Sequence, residues 1–243
     1  MAPTIVLITG ASRGIGRGLL EQYISKPHHT IIAANRDPSH ATSQELTALP
    51  TAEGTVVKLV KLDATSETDG AVAAETLRAS WGIEHIDILI ANAGIAFVWP
   101  KIDDVRIEDI KAHFETNVFG FVRLYQAFAG FLRAARDPKL VTIGSSAANA
   151  ITFPNAAYGP TKIVQHWYTK TISVQEPWLT AFPIDPGFVQ TEMGNRGANN
   201  FGLEKAIISV DESVRGVVRV IDESTRETHS GKLWKWTGEE EPW

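Results

Sequence analysis

Tyr158 and Lys162, in the run YGPTK, are the two residues of this chain whose types and spacing most directly suggest chemistry. A phenol titrates near 10 in water, and an adjacent ammonium favours its anion, so a tyrosine placed beside a lysine can give and take a proton. A spacing of four puts both side chains on one face of a helix. Pro160 between them suits a first turn, where its missing N–H costs little. An isolated Y-x-x-x-K is more often a packed aromatic beside a surface lysine, so the pair needs company. Upstream, KLVTIGSSA sets Ser145 and Ser146 at the end of an apolar run. A hydroxyl there could hydrogen-bond a substrate oxygen, or merely close a turn. Ser145 is the preferred candidate, and the adjacent serine leaves the register open by one.

A second group has the make-up of a phosphate site. TGASRGIG, Thr9 to Gly16, follows the first apolar run and opens a helical pattern. Its glycines, Gly10, Gly14 and Gly16, permit a tight turn and close approach of the backbone to a pyrophosphate, and a helix N-terminus offers unpaired N–H donors. The spacing is G-x-x-x-G-x-G, not the G-x-G-x-x-G dinucleotide fingerprint. Arg13 lies inside this loop, and a second apolar run ends in Ala33-Ala34-Asn35-Arg36. An acid at that end would accept from the ribose 2′-OH of NAD, whereas an arginine suits the 2′-phosphate of NADP. Asn35 stands where the acid is expected, Arg36 follows, and Asp37 lies beyond the strand end before Pro38, so NADP(H) is the expected cofactor. The plainer alternative is that Arg13 and Arg36 are solvated surface charges.

These residues must be held by alternating elements. Short β-branched runs recur at Thr4–Thr9, Thr30–Ala34, Thr55–Leu62, Ile86–Ala91, Leu140–Ser145 and Leu179–Ile184, and Lys232–Thr237 could be a last strand. Continuous apolar runs are the pattern of strands covered on both faces. Helical periodicity fills Gly14–Ser25, Glu67–Ser80, Ile107–Arg136 and Tyr158–Val174. Alternation of this kind implies right-handed crossovers and an α/β fold: a doubly wound, Rossmann-type parallel sheet with helices on both faces, binding ligands beyond the carboxyl ends of its strands. No linker or repeat divides residues 1–243, so one nucleotide-binding domain is expected. Residues 187–209, where Gly194, Gly197, Gly202, Asn199 and Asn200 interrupt any periodicity, are expected to form a substrate loop. The aromatic tail from Trp234 to Trp243 is expected to pack on the core or on another subunit.

Taken in order, TGASRGIG, then NAG at Asn92–Gly94, then Ser145, Tyr158 and Lys162 resemble the short-chain dehydrogenase/reductase family, in its compact subfamily, over nearly the whole chain. KLDAT, FETNVFG and DPGFVQTEM add matches. The resemblance implies that Tyr158 is the general acid in carbonyl reduction and the base in alcohol oxidation. It also implies that Lys162 holds the nicotinamide ribose and lowers the tyrosine pKa, that Ser145 positions the substrate oxygen, and that Asn117 holds a water relaying protons through Lys162. To the cofactor it assigns the loop residues Gly10, Ser12, Arg13, Gly14, Ile15 and Gly16, then Asn35 and Arg36, and Asp63 and Ala64 near the adenine. Asn92, Ala93 and Gly94 follow, with Tyr158 and Lys162, and then Pro186, Gly187, Val189 and Thr191 near the nicotinamide. The usual glycine three places after the catalytic serine is here Ala148, followed by Asn149. The tail WKWTGEEEPW and NRDPS are similar to the C-factor and sniffer-like carbonyl reductases and the fungal norsolorinic-acid-type ketoreductases. That subgroup suggests a ketone or aldehyde substrate, with Phe97, Trp99, Phe153 and Phe188 as candidate pocket walls, and a homodimer or homotetramer packed through the helices of Asn117 and Tyr158.

Composition removes several other classes. The 243 residues carry a formal net charge of −5 with both signs interspersed, so no nucleic-acid partner is expected. With no cysteine, disulfides, thiolate nucleophiles and thiolate-bound zinc are excluded. The histidines lack metal-ligand spacing, so no metal site is expected. Nothing approaches a membrane span or a signal peptide, and a soluble, cytoplasmic protein is expected. Ser145 has no G-x-S-x-G elbow, which removes a serine hydrolase. The alternative that stays open is a non-catalytic NADP(H)-sensing regulator on the same fold, since fold alone does not settle function.

Overall fold

The β-branched runs form strands whose alternate residues are buried on opposite faces. The computed structural model describes residues 2–149 and 153–242. Among them, β1 (Thr4–Thr9), β2 (His29–Asn35), β3 (Val56–Lys61), β4 (Ile88–Ala91), β5 (Lys139–Ile143), β6 (Thr180–Asp185), β7 (Leu233–Lys235) and β8 (Glu240–Glu241) make one sheet of order β3-β2-β1-β4-β5-β6-β7-β8. All neighbours run parallel except β7 and β8. The order reverses between β1 and β4, the switch point at which such sheets bind ligands.

Helices α1 (Gly14–Ile24), α2 (Ala41–Gln44), α3 (Asp69–Glu75), α4 (Ile107–Phe114), α5 (Gly120–Ala134), α6 (Gly159–Gln175), α7 (Glu192–Asn200), α8 (Val210–Glu223) and α9 (Arg226–His229) connect the strands. On one face Leu7, Ile32, Leu89 and Leu140 meet Phe121, Leu124, Phe128 and Phe131 of α5. On the other, Val6, Ile8, Ile31, Ile90 and Val141 meet Leu19, Leu20 and Tyr23 of α1 and Val214, Val217 and Ile221 of α8. Each such side chain removed from water contributes about 1.5–3 kcal/mol. These two layers explain why the strands read as unbroken apolar runs. None of the described helices is long and apolar enough to cross a membrane.

Several boundaries differ from the sequence expectation. β5 ends at Ile143, although Gly144 still donates to the Ile184 carbonyl at 2.7 Å. The helix expected over Ile107–Arg136 is interrupted by a π-helical segment at Glu115–Phe119, and Thr76–Ser80 forms another. Residues 187–209 are not the irregular loop expected, because α7 forms within them. Thr191 caps it by accepting from the Gly194 N–H at 3.0 Å. Of the glycines that disguised this helix, Gly194 is required by packing and Gly197 is in close contact with a ring. A Cβ at residue 194 would lie 1.9 Å from the Val189 carbonyl oxygen, and one at residue 197 would lie 3.2 Å from the Trp99 ring. The last strand is shorter than expected, and Trp234 and Trp236 pack on the core, while Trp243 lies outside the described residues.

Candidate active site

The glycine loop is built by steric exclusion. Gly10 and Gly14 have φ of +65° and +57°, the left-handed region that favours glycine. A Cβ at residue 16 would stand 2.2 Å from the Gly10 carbonyl oxygen and 2.5 Å from Asn92 Nδ2. Asn92 ties this loop to the end of β4. Its amide donates to the Thr9 and Gly10 carbonyls at 2.8 and 3.2 Å, while the main-chain N–H groups of Asn92 and Ala93 donate to Thr9 Oγ1 at 3.0 and 2.9 Å. Arg13 stands at the cap position of α1 and its side chain makes no capping hydrogen bond. The first turn of α1 thus presents main-chain donors beside a loop cleared of side chains, a cradle that fits a pyrophosphate. Ser12 and Ile15 lie between those glycines.

Around this cradle the other cofactor candidates take different roles. Asn35 is buried, its Oδ1 accepts from the Ala11 N–H at 2.8 Å, and its Nδ2 donates to Ser43 Oγ at 3.2 Å. Its side chain therefore braces the glycine loop from beneath. Arg36, next in sequence, is exposed. Arg13 reaches Glu192 of α7 at 2.7 Å, and both side chains are largely in solvent. Asp63 folds into a turn, accepting from the Thr65 N–H and hydroxyl at 2.9 and 2.8 Å, while its own N–H donates to Asp69 Oδ2 at 3.0 Å. Asp63, Ala64 and Ala93 line one shallow cleft at the strand ends. Gly94 passes Asn117, whose Oδ1 would lie 3.2 Å from a Cβ there. Pro186 and Val189 are buried, Gly187 has a φ of +81°, and Thr191 contacts Gly14, 3.2 Å from a Cβ placed on that glycine.

The catalytic candidates converge at the carboxyl ends of β4 and β5. Tyr158 occupies the cap position of α6, with Pro160 in the first turn, and Lys162 Nζ lies 5.7 Å from the centre of its ring. Burial pushes the phenol above its ordinary value and Asp185 adds to the rise, while the nearby Ser145 hydroxyl lowers it. Lys162, 4% exposed, donates to the Ile143 carbonyl at 2.7 Å and to Gln165 Oε1 at 2.8 Å. Burial pushes its ammonium down to about 8, against the attraction of Asp185.

Asn117 lies in the π-helical segment and is 1% exposed. Its amide clamps the loop after β4, accepting from the Ile95 N–H at 2.8 Å and donating to the Ile95 carbonyl at 2.9 Å and to Thr161 Oγ1 at 3.1 Å. One turn earlier, buried His113 stacks on Phe97 at 4.2 Å, and its Nε2 accepts from the Phe97 N–H at 3.4 Å. Burial lowers the His113 pKa, which keeps the ring a neutral acceptor. Sequence reading missed His113, Gln165 and His166. The signal was present in the i, i+4 steps from Asn117 back to His113 and from Lys162 on to His166.

Beyond these residues, Phe97, Val98, Trp99, Asp104, Arg106, Arg196 and Asn200 line an open cavity of about 450 Å³. Phe153 does not line it but stacks on Phe201 at 4.3 Å, and Phe201 meets Trp99 edge-on at 6.0 Å. Phe188 takes no part in its wall and instead accepts from the Ile207 and Ile208 N–H groups through its carbonyl.

A family model for short chain dehydrogenases matches residues 4–200. The chain belongs to the short-chain dehydrogenase family. It is 38% identical over 248 residues to the norsolorinic acid ketoreductase of Aspergillus parasiticus, covering 99% of this chain and 91% of that one. It is 38% identical over 250 residues to a short-chain dehydrogenase of Neurospora crassa, covering 99% and 98%. The NADPH-bound carbonyl reductase from chicken fatty liver superposes with a TM-score of 0.85 at 26% identity over the whole of both chains. This is therefore an oxidoreductase of the short-chain dehydrogenase family, with ketoreductases and carbonyl reductases among its relatives.

Proposed function

We propose that this short-chain dehydrogenase is an NADP(H)-dependent carbonyl reductase, acting on a ketone or aldehyde with Tyr158 as the proton donor and running in reverse as an alcohol dehydrogenase. The observation that carries the reading is the Tyr158 phenol, set against Lys162, 5.7 Å from its ring centre, with the Ser145 hydroxyl near enough to act on it electrostatically, at the ends of the central strands. The glycine loop and the open first turn of α1 would hold the pyrophosphate, with Asp63 and Ala64 toward the adenine and Asn92–Gly94 and Pro186–Thr191 toward the nicotinamide. Arg36 and Arg13 favour a 2′-phosphate over a bare ribose. When bound, the nicotinamide supplies the hydride.

The chain's own groups supply the rest. A phenol is protonated throughout the neutral range, as a donor to a developing alkoxide must be, and the rise that burial imposes opposes the transfer until nearby positive charge offsets it. The Ser145 hydroxyl would hydrogen-bond the carbonyl oxygen and polarise it. Lys162 places a positive charge beside Tyr158 as the phenol gives up its proton. Because the Asn117 amide is spent on Ile95 and Thr161, a water relay at residue 117 would use its main-chain carbonyl. Phe97 and Trp99, on the wall of the neighbouring cavity, support an aromatic carbonyl substrate. The exposed apolar residues Ile163, Trp167 and Val174 of α6 support a homodimer or homotetramer packed through that helix, which light scattering would measure.

The test of the reaction is NADPH oxidation against aldehydes, diketones and aryl ketones, with NADH as control. Tyr158→Phe should lose about 10²- to 10⁴-fold in kcat while still binding NADPH. Preference for NADH overturns the cofactor assignment. Binding without turnover of any carbonyl favours the regulatory alternative.

A further inference from the structure

His166 lies one helical turn beyond Lys162 on α6, on the face that carries Tyr158 and Lys162. It is 2% exposed. Its Nε2 accepts the main-chain N–H of Ser145 at 3.2 Å. Residue 144 is glycine where a side chain would displace this ring, since a Cβ there would lie 2.3 Å from Nε2. Burial, followed by the charge of Lys162, pushes the imidazolium down to about 3, so the ring is neutral and Nε2 is an acceptor across the working pH range. Ser145 itself follows the end of β5 in extended conformation and opens a single 3₁₀ turn, its Oγ accepting from the Ala147 N–H at 3.1 Å.

We propose that His166 is a positioning residue of this active site: by accepting the Ser145 N–H from within the core, it fixes where the Ser145 hydroxyl stands relative to Tyr158. The inference rests on the reading of Ser145 and Tyr158 as reductase groups. Rotation of the peptide at residue 145 moves Oγ directly, and a displacement of about 1 Å at a reacting centre is enough to cost a hundredfold in rate. Neighbouring Gln165 holds Lys162 in the same manner, at 2.8 Å. Two adjacent polar residues of α6 thus support two groups of the site from behind.

The test combines kinetics with a spectrum that needs no turnover. Ser145→Ala, His166→Ala, His166→Gln and the double variant Ser145→Ala/His166→Ala are compared with wild type using NADPH and the best carbonyl found. Ser145→Ala should lose roughly 100-fold in kcat, the scale for removing one donor to a reacting oxygen. His166→Ala should lose about tenfold or more, and the double variant should lie within about twofold of Ser145→Ala, because the histidine acts through the serine. His166→Gln, whose amide oxygen can take the place of Nε2, should recover most of the rate. In ¹⁵N-labelled full-length protein, the Ser145 amide proton should move upfield and exchange about tenfold faster in His166→Ala but not in His166→Gln. If His166→Ala does not fold, His166→Asn, one bond too short to reach, takes its place. Losses that multiply in the double variant, or an unchanged Ser145 amide, overturn the proposal while leaving the reductase reading intact. A wild-type protein that reduces no carbonyl overturns both.

Discussion

The proposed cofactor side and the proposed substrate side of this molecule are built by different kinds of contact. On the cofactor side, the loop after β1 closes against β4 through backbone atoms and glycines that leave no room for a methyl group, and Asn92, Thr9 and Asn35 lock it with short hydrogen bonds. On the substrate side, α7 and its C-cap residue Phe201 lean on Trp99, and the ion pairs of Glu192, with Arg13 and within the helix with Arg196, are exposed. A site that binds one nucleotide can be rigid. A wall made of side-chain contacts can be changed ring by ring without disturbing Tyr158.

The largest effects should fall on the rigid side. Gly16→Ala drives a Cβ against main-chain atoms and should weaken NADPH binding by about a hundredfold, near the upper end of the roughly 1–3 kcal/mol that overpacking costs. Gly197→Ala meets only the edge of Trp99 and gains up to about 1 kcal/mol of helix propensity, so its melting temperature and NADPH affinity should stay near wild type. Equal damage from the two glycine substitutions, read by fluorescence titration, would erase the contrast between the two sides.

Next comes the buried cation where the sides meet. Lys162 has a folded value of about 8, below that of the unfolded chain, so the unfolded state keeps the proton longer between about pH 8 and 10.5. The cost of burying the charge is fully present below pH 8 and is relieved as pH rises toward 10.5. Lys162→Met should therefore be more stable than wild type at pH 7, and the gap should narrow toward pH 10, as denaturant titrations at both pH values would show. A gap that widens with pH would mean the lysine is better satisfied than its surroundings indicate.

Smaller effects belong to the wall. Trp99→Ala removes a cavity face and the ring contact with Phe201, and should raise the KM for an aryl ketone about three- to tenfold with little change in NADPH affinity, in keeping with ring pairs worth about 0.5–1.5 kcal/mol. Smallest of all, Glu192→Gln frees Arg13 for a 2′-phosphate. It should tighten NADPH binding by about twofold without altering the melting temperature, since exposed pairs contribute little. Tightened binding of NADH to the same degree would show that Arg13 does not read the phosphate.

Much of this was legible in the sequence wherever a local rule sufficed. The six central strands announce themselves as apolar runs, and the order of TGASRGIG, NAG, Ser145, Tyr158 and Lys162 identifies both fold and family. Helix α8 was legible too and was passed over. Ser209 caps it by accepting from the Glu212 N–H at 3.2 Å, and Val210, Val214, Val217 and Ile221 repeat at helical spacing. The helix α7 was not legible, because Gly194 and Gly197 break its pattern, and Gly194 is there for the sake of Val189, which lies outside that helix.

The sequence by itself determined the alternation of strands and helices, the glycine loop and the four-residue step from tyrosine to lysine, since each depends on the conformational preferences of neighbouring residues. Only the tertiary structure decided that Asn35 braces the loop, that the Asn117 amide clamps Ile95, that Lys162 is held by Ile143 and Gln165, and that His166 stands behind Ser145. Those roles arise where distant segments pack, and a buried polar group takes whatever partner that packing brings within reach.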